Sequence, residues 1–369
     1  MTPPDAETYA GDRPRGTVDP RFWHGRRVLV TGHTGFKGSW LSAWLQRLGA
    51  EVMGYALPPA TDPSLFEAAG VAEGMVSIDG DVRDLAALRA AATGFRPEVV
   101  LHLAAQSLVR PSYAEPVDTY AVNVMGTVNV LEAVRACDDV RVVVVVTSDK
   151  CFENREWVWP YREGEPLGGR DPYSSSKACA ELVTAAYRDS FLTAAGTAVA
   201  TARAGNVLGG GDWAEDRLVP DIVRSIIAGA PLVLRYPDAI RPWQHVLDPL
   251  GGYLALAQSL WERPDLTGAW NFAPGQEEGW PVRRIVQRLA ELLDRPGTWT
   301  QAPGILPHEA GSLRLDASKA RALLGWAPRF TLDETLAQIA EWYDGFASGT
   351  PARDLVDAEL TRYRHMVAT

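Results

Sequence analysis

The stretch "RRVLVTGHTGFKGSW", residues 26–40, decides the fold of this chain. Its first half is a continuous apolar run, which predicts a buried strand, and apolar residues at helical spacing follow it. Gly32, Gly35 and Gly38 lie between the two segments at regular intervals. Glycines spaced in this way permit a tight turn and let backbone N–H groups approach a pyrophosphate at a helix N-terminus. The stretch therefore predicts a dinucleotide-binding turn between a strand and a helix.

Strand and helix patterns alternate from this stretch to about residue 205. Very apolar strand segments are separated by helical segments, which is typical of a parallel sheet covered on both faces. We therefore predict an α/β fold, a doubly wound parallel Rossmann sheet with a smaller C-terminal α/β substrate lobe. The predicted strands are "RRVLVTG", "EVMGYAL", "GMVSIDGDVRD", "PEVVLHLAA", "VRVVVVVTS" and "GTAVATARAGNV".

The composition of the chain changes after Gly205, where tryptophan, proline and arginine become frequent. We expect a flexible tail over residues 1–20, a cofactor-binding domain over 21–205 and mainly a substrate-binding lobe over 206–369. A segment near 240–262 is expected to return from the lobe to the first domain.

Charge and cysteine content exclude several classes of protein. The 369 residues carry a formal charge of -10, which argues against a general binder of nucleic acid or anionic membranes. Cys137, Cys151 and Cys179 have no paired spacing, so neither a disulfide framework nor a metal site is predicted, and a reducing cytoplasm fits best. No apolar run approaches the roughly 20 residues that span a bilayer. We expect a cytoplasmic protein without a metal, nucleic-acid or membrane partner.

The segment "YSSSK" provides a candidate general base. Tyr173 and Lys177 are four residues apart, so a helix would place them on one face. A nearby ammonium favours the phenolate and lowers the pKa of the tyrosine, which could then take a proton from an alcohol. The motif alone is common by chance, but it becomes specific beside a glycine loop and an upstream strand end that reads "TS".

An acid and an amine, Asp149 and Lys150, follow directly after the run "VVVVV". The end of a buried strand in an α/β sheet is where ligands bind, so this pair suggests catalysis. The structural alternative is an ion pair of Lys150 with Asp149 or Glu153. The neighbouring Cys151 is interpreted as a small packing residue.

Several longer strings carry a resemblance to a known family. The chain is similar to the extended short-chain dehydrogenase/reductase family, and within it to the nucleotide-sugar 4,6-dehydratases, from about residue 26 to the C-terminal helices. Asp-Lys stands where the dTDP-sugar relatives have Asp-Glu. The resemblance implies NAD as cofactor and a nucleotide sugar, CDP-glucose, as substrate. It rests on "VTGHTGFKGSWL", "LHLAAQSLVRPSY", "NVMGTVNVLEA", "TSDKCFENREWVWPYRE", "DPYSSSKACAELV", "RAGNVLGGGDWAEDRLVPD" and "IRPWQHVLDPL".

The resemblance also implies a reaction in which NAD takes a hydride from the sugar and later returns it to the same sugar. Tyr173 would remove the proton of the C4 hydroxyl, which Thr147 would hold, while NAD takes the C4 hydride. Asp149 would protonate the departing C6 hydroxyl, provided burial keeps it in its acid form. Lys150 would act as the C5 base if it is neutral, or would stabilise the enolate if it is charged. Lys177 would assist Tyr173.

The family pattern assigns further residues to the two ligands. Asp81 would contact the adenine, with a helix N-cap as the alternative role. The segment "GYALPP" at the second strand end has no acid and no arginine, so it does not decide between NAD and NADP. The expected cofactor residues are Gly32, His33, Thr34, Gly35, Phe36, Lys37, Gly38, Asp81, Val82, Leu103, Ala104, Ala105, Tyr173 and Lys177. The expected substrate residues are Gln106, Ser107, Asn206, Arg217, Leu218, Val219, Arg235, Arg241 and His308.

Two enzyme alternatives and one non-enzyme alternative remain. A nucleotide-sugar 4-epimerase would need the C4 ketone but no acid for C6, and a dehydratase for another nucleotide sugar would share the whole mechanism. A non-catalytic NAD-binding sensor would have no need of Tyr173 and Lys177. By resemblance, the helices after Pro116 and Pro172 would form a homodimer contact, with a tetramer as the alternative, and Asn123 would bond backbone near the site.

Overall fold

The computed structural model describes residues 16–275, 279–303 and 312–366. Apolar runs of the sequence form the strands, and nearly every residue of the central ones is buried. The strands are β1 (Arg27–Thr31), β2 (Glu51–Ala56), β3 (Val76–Asp79), β4 (Val99–His102), β5 (Val142–Val146), β6 (Ala198–Ala204), β7 (Val207–Leu208), β8 (Leu232–Leu234), β9 (Gln244–His245), β10 (Gly268–Phe272) and β11 (Trp299–Gln301).

Within the described ranges, the main sheet is parallel and has seven strands in the order β10-β6-β5-β4-β1-β2-β3. This order, with a reversal between β1 and β4, is that of a doubly wound sheet, so the predicted fold class is confirmed. Two small parallel pairs, β8 with β11 and β7 with β9, belong to the second half of the chain. Ligands of such sheets bind beyond the carboxyl ends of the strands, at the reversal point.

Helices cover both faces of the sheet. Val142 and Val144 of β5 pack into one core with α2 and α10, and Val143 and Val145 pack into a second core with α4 and α7. None of the described helices has the combined length and apolarity needed to cross a bilayer. The helices are α1 (Pro20–Trp23), α2 (Phe36–Arg47), α3 (Leu65–Ala68), α4 (Leu85–Phe95), α5 (Val109–Ala114), α6 (Pro116–Tyr120), α7 (Gly126–Arg135), α8 (Pro172–Tyr187), α9 (Leu218–Ala228), α10 (Leu247–Glu262), α11 (Val282–Leu292), α12 (Leu332–Ala347) and α13 (Ala352–His365).

The second half of the chain returns to the sheet over a longer segment than predicted. The helix α10 packs against β5 and β6, within the range near 240–262 where a return was expected. The following strand β10 then pairs with β6, from Gly268 opposite Ala200 to Phe272 opposite Ala204. The edge of the cofactor-binding sheet is therefore supplied by residues beyond the predicted boundary at 205.

Contacts at the N-terminus begin earlier than predicted. The side chain of Gln258, on α10, accepts hydrogen bonds from the Asp19 N–H at 2.9 Å and from the Trp23 indole at 2.6 Å. It also donates to the Thr17 carbonyl oxygen at 3.2 Å. The predicted end of the tail at residue 20 is thus too late, because the chain is attached to α10 from Thr17 onward.

Candidate active site

A cleft of about 940 Å³ runs along the carboxyl ends of the main-sheet strands. One wall is the turn between β1 and α2 together with the ends of β4 and β5, and the other is formed by residues 205–221 and 232–241 of the second half. Tyr173 and Lys177 of α8 line the same cleft as Asp149 and Lys150 after β5. The two predicted chemical motifs are therefore brought together.

Each glycine of the predicted cofactor loop has a separate structural reason. Gly32 has a φ of +76°, and a Cβ on it would lie 2.7 Å from the backbone nitrogen of Ala104. A Cβ on Gly38 would collide with the carbonyl oxygen of Gly32. Gly35 lines the cleft and precedes α2, whose N-terminus has no side-chain cap. The loop thus presents uncapped helix N–H groups to the cleft, which suits the pyrophosphate of a dinucleotide.

Most of the predicted cofactor residues line the cleft, and His33 is the exception. The His33 ring lies beneath the loop, 2.8 Å from the Ser77 hydroxyl and edge-on to Phe66. Burial lowers the pKa of His33 to about 4, although Asp79 opposes the shift. His33 therefore supports the loop from below, and its side chain is corrected from a cofactor contact to a core residue. The residues that do line the cleft are Gly32, Thr34, Gly35, Phe36, Lys37, Gly38, Asp81, Val82, Leu103, Ala104, Ala105, Tyr173 and Lys177.

Asp81 is not a helix cap. The carboxylate of Asp84 caps α4 by accepting the Ala87 N–H at 3.0 Å. Asp81 instead accepts the Arg83 N–H at 2.8 Å, and its hydrogen bonds with the Arg83 guanidinium lower its pKa. The capping interpretation is wrong, and the carboxylate of Asp81 lies at the cleft wall.

The N-terminus of α8 positions Tyr173. Asp171 caps the helix by accepting the Ser174 N–H at 2.9 Å, and Pro172 occupies the first turn. Burial raises the pKa of Tyr173 to about 12, and a hydrogen bond with Ser148 offsets only part of this increase. This is opposite to the shift predicted from Lys177, because a buried phenolate loses its hydration. Burial also lowers the pKa of Lys177 to about 8, against the opposing charge of Glu181.

The hydroxyl beside Tyr173 belongs to Ser148 rather than to Thr147. The Thr147 hydroxyl donates to the Glu181 carboxylate, although the residue also borders the cleft. Ser148 hydrogen-bonds with Tyr173 and donates to Asp149 Oδ1 at 3.0 Å. The structure thus places the hydroxyl of Ser148, and not that of Thr147, next to Tyr173, because consecutive side chains of an extended strand end point to opposite sides.

Asp149 and Lys150 differ sharply in environment. The Asp149 side chain is 2% exposed, and burial raises the pKa of its carboxyl, which Lys150 opposes. Its Oδ2 atom has no hydrogen-bond partner among the described residues. Lys150 borders the cleft, whereas Glu153 forms an ion pair with Arg155 at 3.3 Å. The buried acid can therefore donate a proton into the cleft, and the ion pair of Lys150 with Glu153 is not formed.

Most of the predicted substrate residues also line the cleft, and Gln106 does not. The Gln106 amide donates to the Leu108 carbonyl oxygen and to the Thr119 hydroxyl, both at 3.0 Å. Asn123 bonds the backbone N–H and carbonyl of Gln106 at 2.9 Å, the support that was predicted for it. His308 lies outside the described residues. The residues that line the cleft are Ser107, Asn206, Arg217, Leu218, Val219, Arg235 and Arg241.

Sequence reasoning missed a charged bridge across the mouth of the cleft. The Asp216 carboxylate accepts from Arg110 at 2.7 Å and from Arg235 at 3.0 Å. Arg217, the next residue, donates to the Ser107 hydroxyl at 2.9 Å. No local pattern could have predicted these contacts, because their partners lie far apart in the sequence.

A half-buried lysine in the first turn of α2, Lys37, was assigned only to the cofactor. The Lys37 ammonium donates to the Tyr253 phenol oxygen at 2.9 Å. Burial lowers the pKa of Lys37 to about 7, with a further contribution from the positive charge of Lys177.

Cys151 is fully buried and burial raises the pKa of its thiol, which fits the predicted packing role. No cluster of potential metal ligands occurs within the described ranges.

Comparisons with known proteins agree with this geometry. Residues 29–268 match the model of a family described as GDP-mannose 4,6 dehydratase. The chain is 52% identical over 352 residues to CDP-glucose 4,6-dehydratase of Salmonella typhimurium, covering 94% of this chain and 98% of the relative. It is 28% identical over 343 residues to dTDP-glucose 4,6-dehydratase of Xanthomonas campestris pv. campestris, covering 85% and 92%.

Solved structures have the same fold. UDP-glucose 4-epimerase of Thermus thermophilus, in complex with NAD, superposes with a TM-score of 0.75 at 27% identity. The superposition covers 86% of this chain and 99% of the epimerase. The similarity therefore extends over both the main sheet and the second half.

Proposed function

This chain belongs to the GDP-mannose 4,6 dehydratase family, within the extended short-chain dehydrogenase/reductases, and we propose that it is a CDP-glucose 4,6-dehydratase. It would convert CDP-glucose to CDP-4-keto-6-deoxyglucose and water. The observation that carries this proposal is the buried acid Asp149 in one cleft with Tyr173 and Lys177. The CDP-linked substrate follows from the Salmonella relative.

The glycine loop supports NAD as the cofactor. Its glycines leave the N-terminus of α2 open to the cleft, and Asp81 and Ala104 border the same space. When bound, NAD would accept a hydride from C4 of the sugar and later return it to C6. The nicotinamide ring is positively charged before it accepts the hydride. The residues that would hold NAD are the cleft-lining cofactor residues named above, Lys177 among them.

In the first step, the phenolate form of Tyr173 would take the proton of the C4 hydroxyl; burial disfavours this form, and the positive charges of Lys177 and of the bound nicotinamide favour it. Ser148 would orient that hydroxyl, since its own hydroxyl already hydrogen-bonds with Tyr173. The pKa of about 8 leaves Lys177 mostly charged at neutral pH, so its ammonium stabilises the phenolate. When the hydride goes to C6, the group that took the C5 proton would return a proton to C5, and the proton gained by Tyr173 would replace the one that Asp149 gives to the leaving water.

In the second step, the C4 ketone makes the C5 hydrogen acidic. Asp149 donates its proton to the C6 hydroxyl, which leaves as water, because hydroxide itself is a poor leaving group. Burial raises the pKa of Asp149 and so favours the acid form that this role requires. Lys150 borders the same space and either removes the C5 proton as a neutral amine, or stays charged and stabilises the enolate while water in the cleft takes that proton.

Arginines of the second half would bind the nucleotide. Arg241 and Arg235 line the cleft with Asn206, and a guanidinium matches the oxygens of a diphosphate. Leu218 and Val219, at the start of α9, offer an apolar surface to the base. We propose a cytoplasmic location, which suits the three free cysteines.

The direct test is incubation of the purified protein with CDP-, dTDP-, UDP- and GDP-glucose, with products identified by mass. We expect loss of one water from CDP-glucose alone, and deuterium placed at C4 should appear in the new methyl group. Loss of water from a different nucleotide sugar would keep the mechanism and change the substrate. Conversion to the galactose epimer without water loss would favour the 4-epimerase, and NAD binding without turnover would favour the sensor.

We also propose a homodimer through α6 and α8. Val117 of α6 is 82% exposed and Leu182 of α8 is 59% exposed, and the two helices pack side by side. Tyr113, Met125 and Phe191 add exposed apolar surface nearby, which is typical of an interface. A second copy of the chain would cover this surface.

Introducing charge into this surface should separate the dimer. The double variant Val117→Glu with Leu182→Glu is expected to sediment as a monomer, because two buried unpaired carboxylates oppose association. Ile227→Glu is the matched control, since Ile227 is 78% exposed on α9 and should leave the dimer intact. A wild-type monomer in sedimentation velocity, or a dimeric double variant, would contradict the proposed interface.

A further inference from the structure

The mechanism makes no use of a buried carboxylate next to the catalytic pair. Glu181 lies one helical turn after Lys177 on α8, and it is 4% exposed. Arg203 of β6 donates to both of its oxygens at 2.9 Å. Thr201 of β6 donates to Oε2 at 2.6 Å, and Thr147 donates to Oε1. The carboxylate therefore joins α8 to the ends of two neighbouring strands.

Arg203 connects this carboxylate to the segment that follows the catalytic residues. Its guanidinium donates to the Glu163 carbonyl oxygen at 3.1 Å and lies 4.8 Å from the centre of the Phe152 ring. Because the same guanidinium also bonds both oxygens of Glu181, this bidentate contact fixes the orientation of the Arg203 side chain as well as its distance from the carboxylate. The Thr147–Phe152 segment is thus held at its beginning by Glu181 and at its end by Arg203.

The direction of the Thr147 side chain determines that of Ser148. The Thr147 N–H donates to the Ala202 carbonyl oxygen at 3.0 Å, so the ladder of β5 continues past Val146. Ser148 is extended, with φ −157° and ψ 156°. Side chains alternate in such a backbone, so Thr147 points inward to Glu181 while Ser148 points to Tyr173.

We propose that Glu181 is a positioning residue for the dehydration, which acts through Thr147 to fix Ser148 and Asp149 towards the cleft. Glu181 touches neither cofactor nor substrate in this assignment. Its negative charge, one turn from Lys177, also helps that buried ammonium to remain protonated. The kinetic part of this inference rests on the proposed function.

Two threonines provide a matched test. Thr147 and Thr201 each donate one hydroxyl to Glu181, but only Thr147 precedes the catalytic residues. We expect Thr147→Val to lower kcat about 10²-fold with little change in KM, the scale of a misplacement near 1 Å. Thr201→Val should keep kcat close to wild type with a similar melting temperature, and Thr147→Ser should restore activity. Equal kcat values for the two valine variants would overturn the inference.

A double variant separates positioning from direct substrate contact. If Glu181 acts through Thr147, then Thr147→Val combined with Glu181→Gln should be no slower than Glu181→Gln alone. If Thr147 touches the sugar, the two losses should multiply, which would overturn the inference. The series is run on whichever of the four glucose nucleotides the wild type dehydrates, so a wrong base assignment does not affect it.

A crystal structure of the full-length Thr147→Val variant gives a readout that needs no turnover. We expect Ser148 to leave hydrogen-bonding distance of Tyr173, while Arg203 keeps its contact with Glu181. If Ser148 did not move, the inference would be overturned, whether or not a glucose nucleotide is a substrate. The finding that no glucose nucleotide is a substrate would by itself refute only the proposed function.

Discussion

Replacing Tyr173 with phenylalanine is expected to lower kcat about 10²–10⁴-fold, the usual contribution of a general acid–base group. The variant lacks only the phenol oxygen, which takes the C4 hydroxyl proton in the proposed first step. Because the glycine loop and the N-terminus of α2 are unchanged, NAD should still bind. Turnover is measured as product mass from CDP-glucose, and NAD binding by calorimetry.

Tyr187→Phe is the matched control for this prediction. Tyr187 lies on the same helix, and its phenol donates to Glu132 at 2.8 Å outside the cleft. The control should turn over like the wild type. If Tyr173→Phe and Tyr187→Phe were equally active, Tyr173 would not be the base.

Asp149→Asn is expected to lower product formation by about 10²–10⁴-fold, because it blocks the loss of water in the second step and not the oxidation of C4 in the first. An amide cannot protonate the C6 hydroxyl, so water should not leave, whereas removal of the C4 hydride needs only Tyr173 and Lys177. Reduced nicotinamide should therefore accumulate on mixing with substrate and be visible by its absorbance. The sugar recovered after quenching should be ketonic at C4 and still carry its C6 oxygen.

Asp189→Asn serves as the control, because Asp189 is an exposed partner of Arg188 away from the cleft. A loss of nicotinamide reduction in Asp149→Asn, equal to the loss of product, would contradict the assignment to the second step. Lys150→Arg extends the same experiment, since an arginine keeps the charge but cannot act as a base at neutral pH. Retained turnover would favour the enolate-stabilising role, and lost turnover with retained reduction would favour the C5 base.

The main sheet could be predicted because its signals are local. The run ending at Thr31 and the glycine at 32 define β1 and its turn without any knowledge of the rest of the chain. The helical pair Tyr173 and Lys177 was equally local, since a fixed spacing determines a shared face. The seventh strand β10 was missed, because the short segment "GAWNF" carries no sign of the distant edge at which it pairs.

The family resemblance assigned the hydroxyl contact to Thr147, at a point where two adjacent residues carry the same functional group. Thr147 and Ser148 both carry hydroxyls, and only the last ladder bond of β5 decides which one faces Tyr173. Gln106 was assigned to the sugar by the family resemblance, but its amide donates to the Leu108 carbonyl oxygen and to the Thr119 hydroxyl.

His33 was misplaced for a related reason. A residue inside a ligand-binding loop is easily assigned to the ligand, but the tight turn at Gly32 directs this side chain down onto β2, where a Cβ on Gly54 would collide with the ring. Ser77 of β3 then provides its hydrogen-bond partner. The shift in the pKa of Tyr173 was also misjudged, because burial outweighs a neighbouring charge and burial is a property of the whole fold.

The return of the chain through α10 and β10 limits which segments could be exchanged between relatives by recombination. A recombinant that joined the first half of one relative to the second half of another near Gly205 would combine an edge strand from one parent with a sheet from the other. The junction would cut through the pairing of Gly268–Phe272 with β6 and the packing of α10 beneath it. An exchange of nucleotide preference between relatives therefore needs three crossover points. These would exchange residues 206–243 and the segment after Phe272, while the helix and strand between them stay with their own sheet.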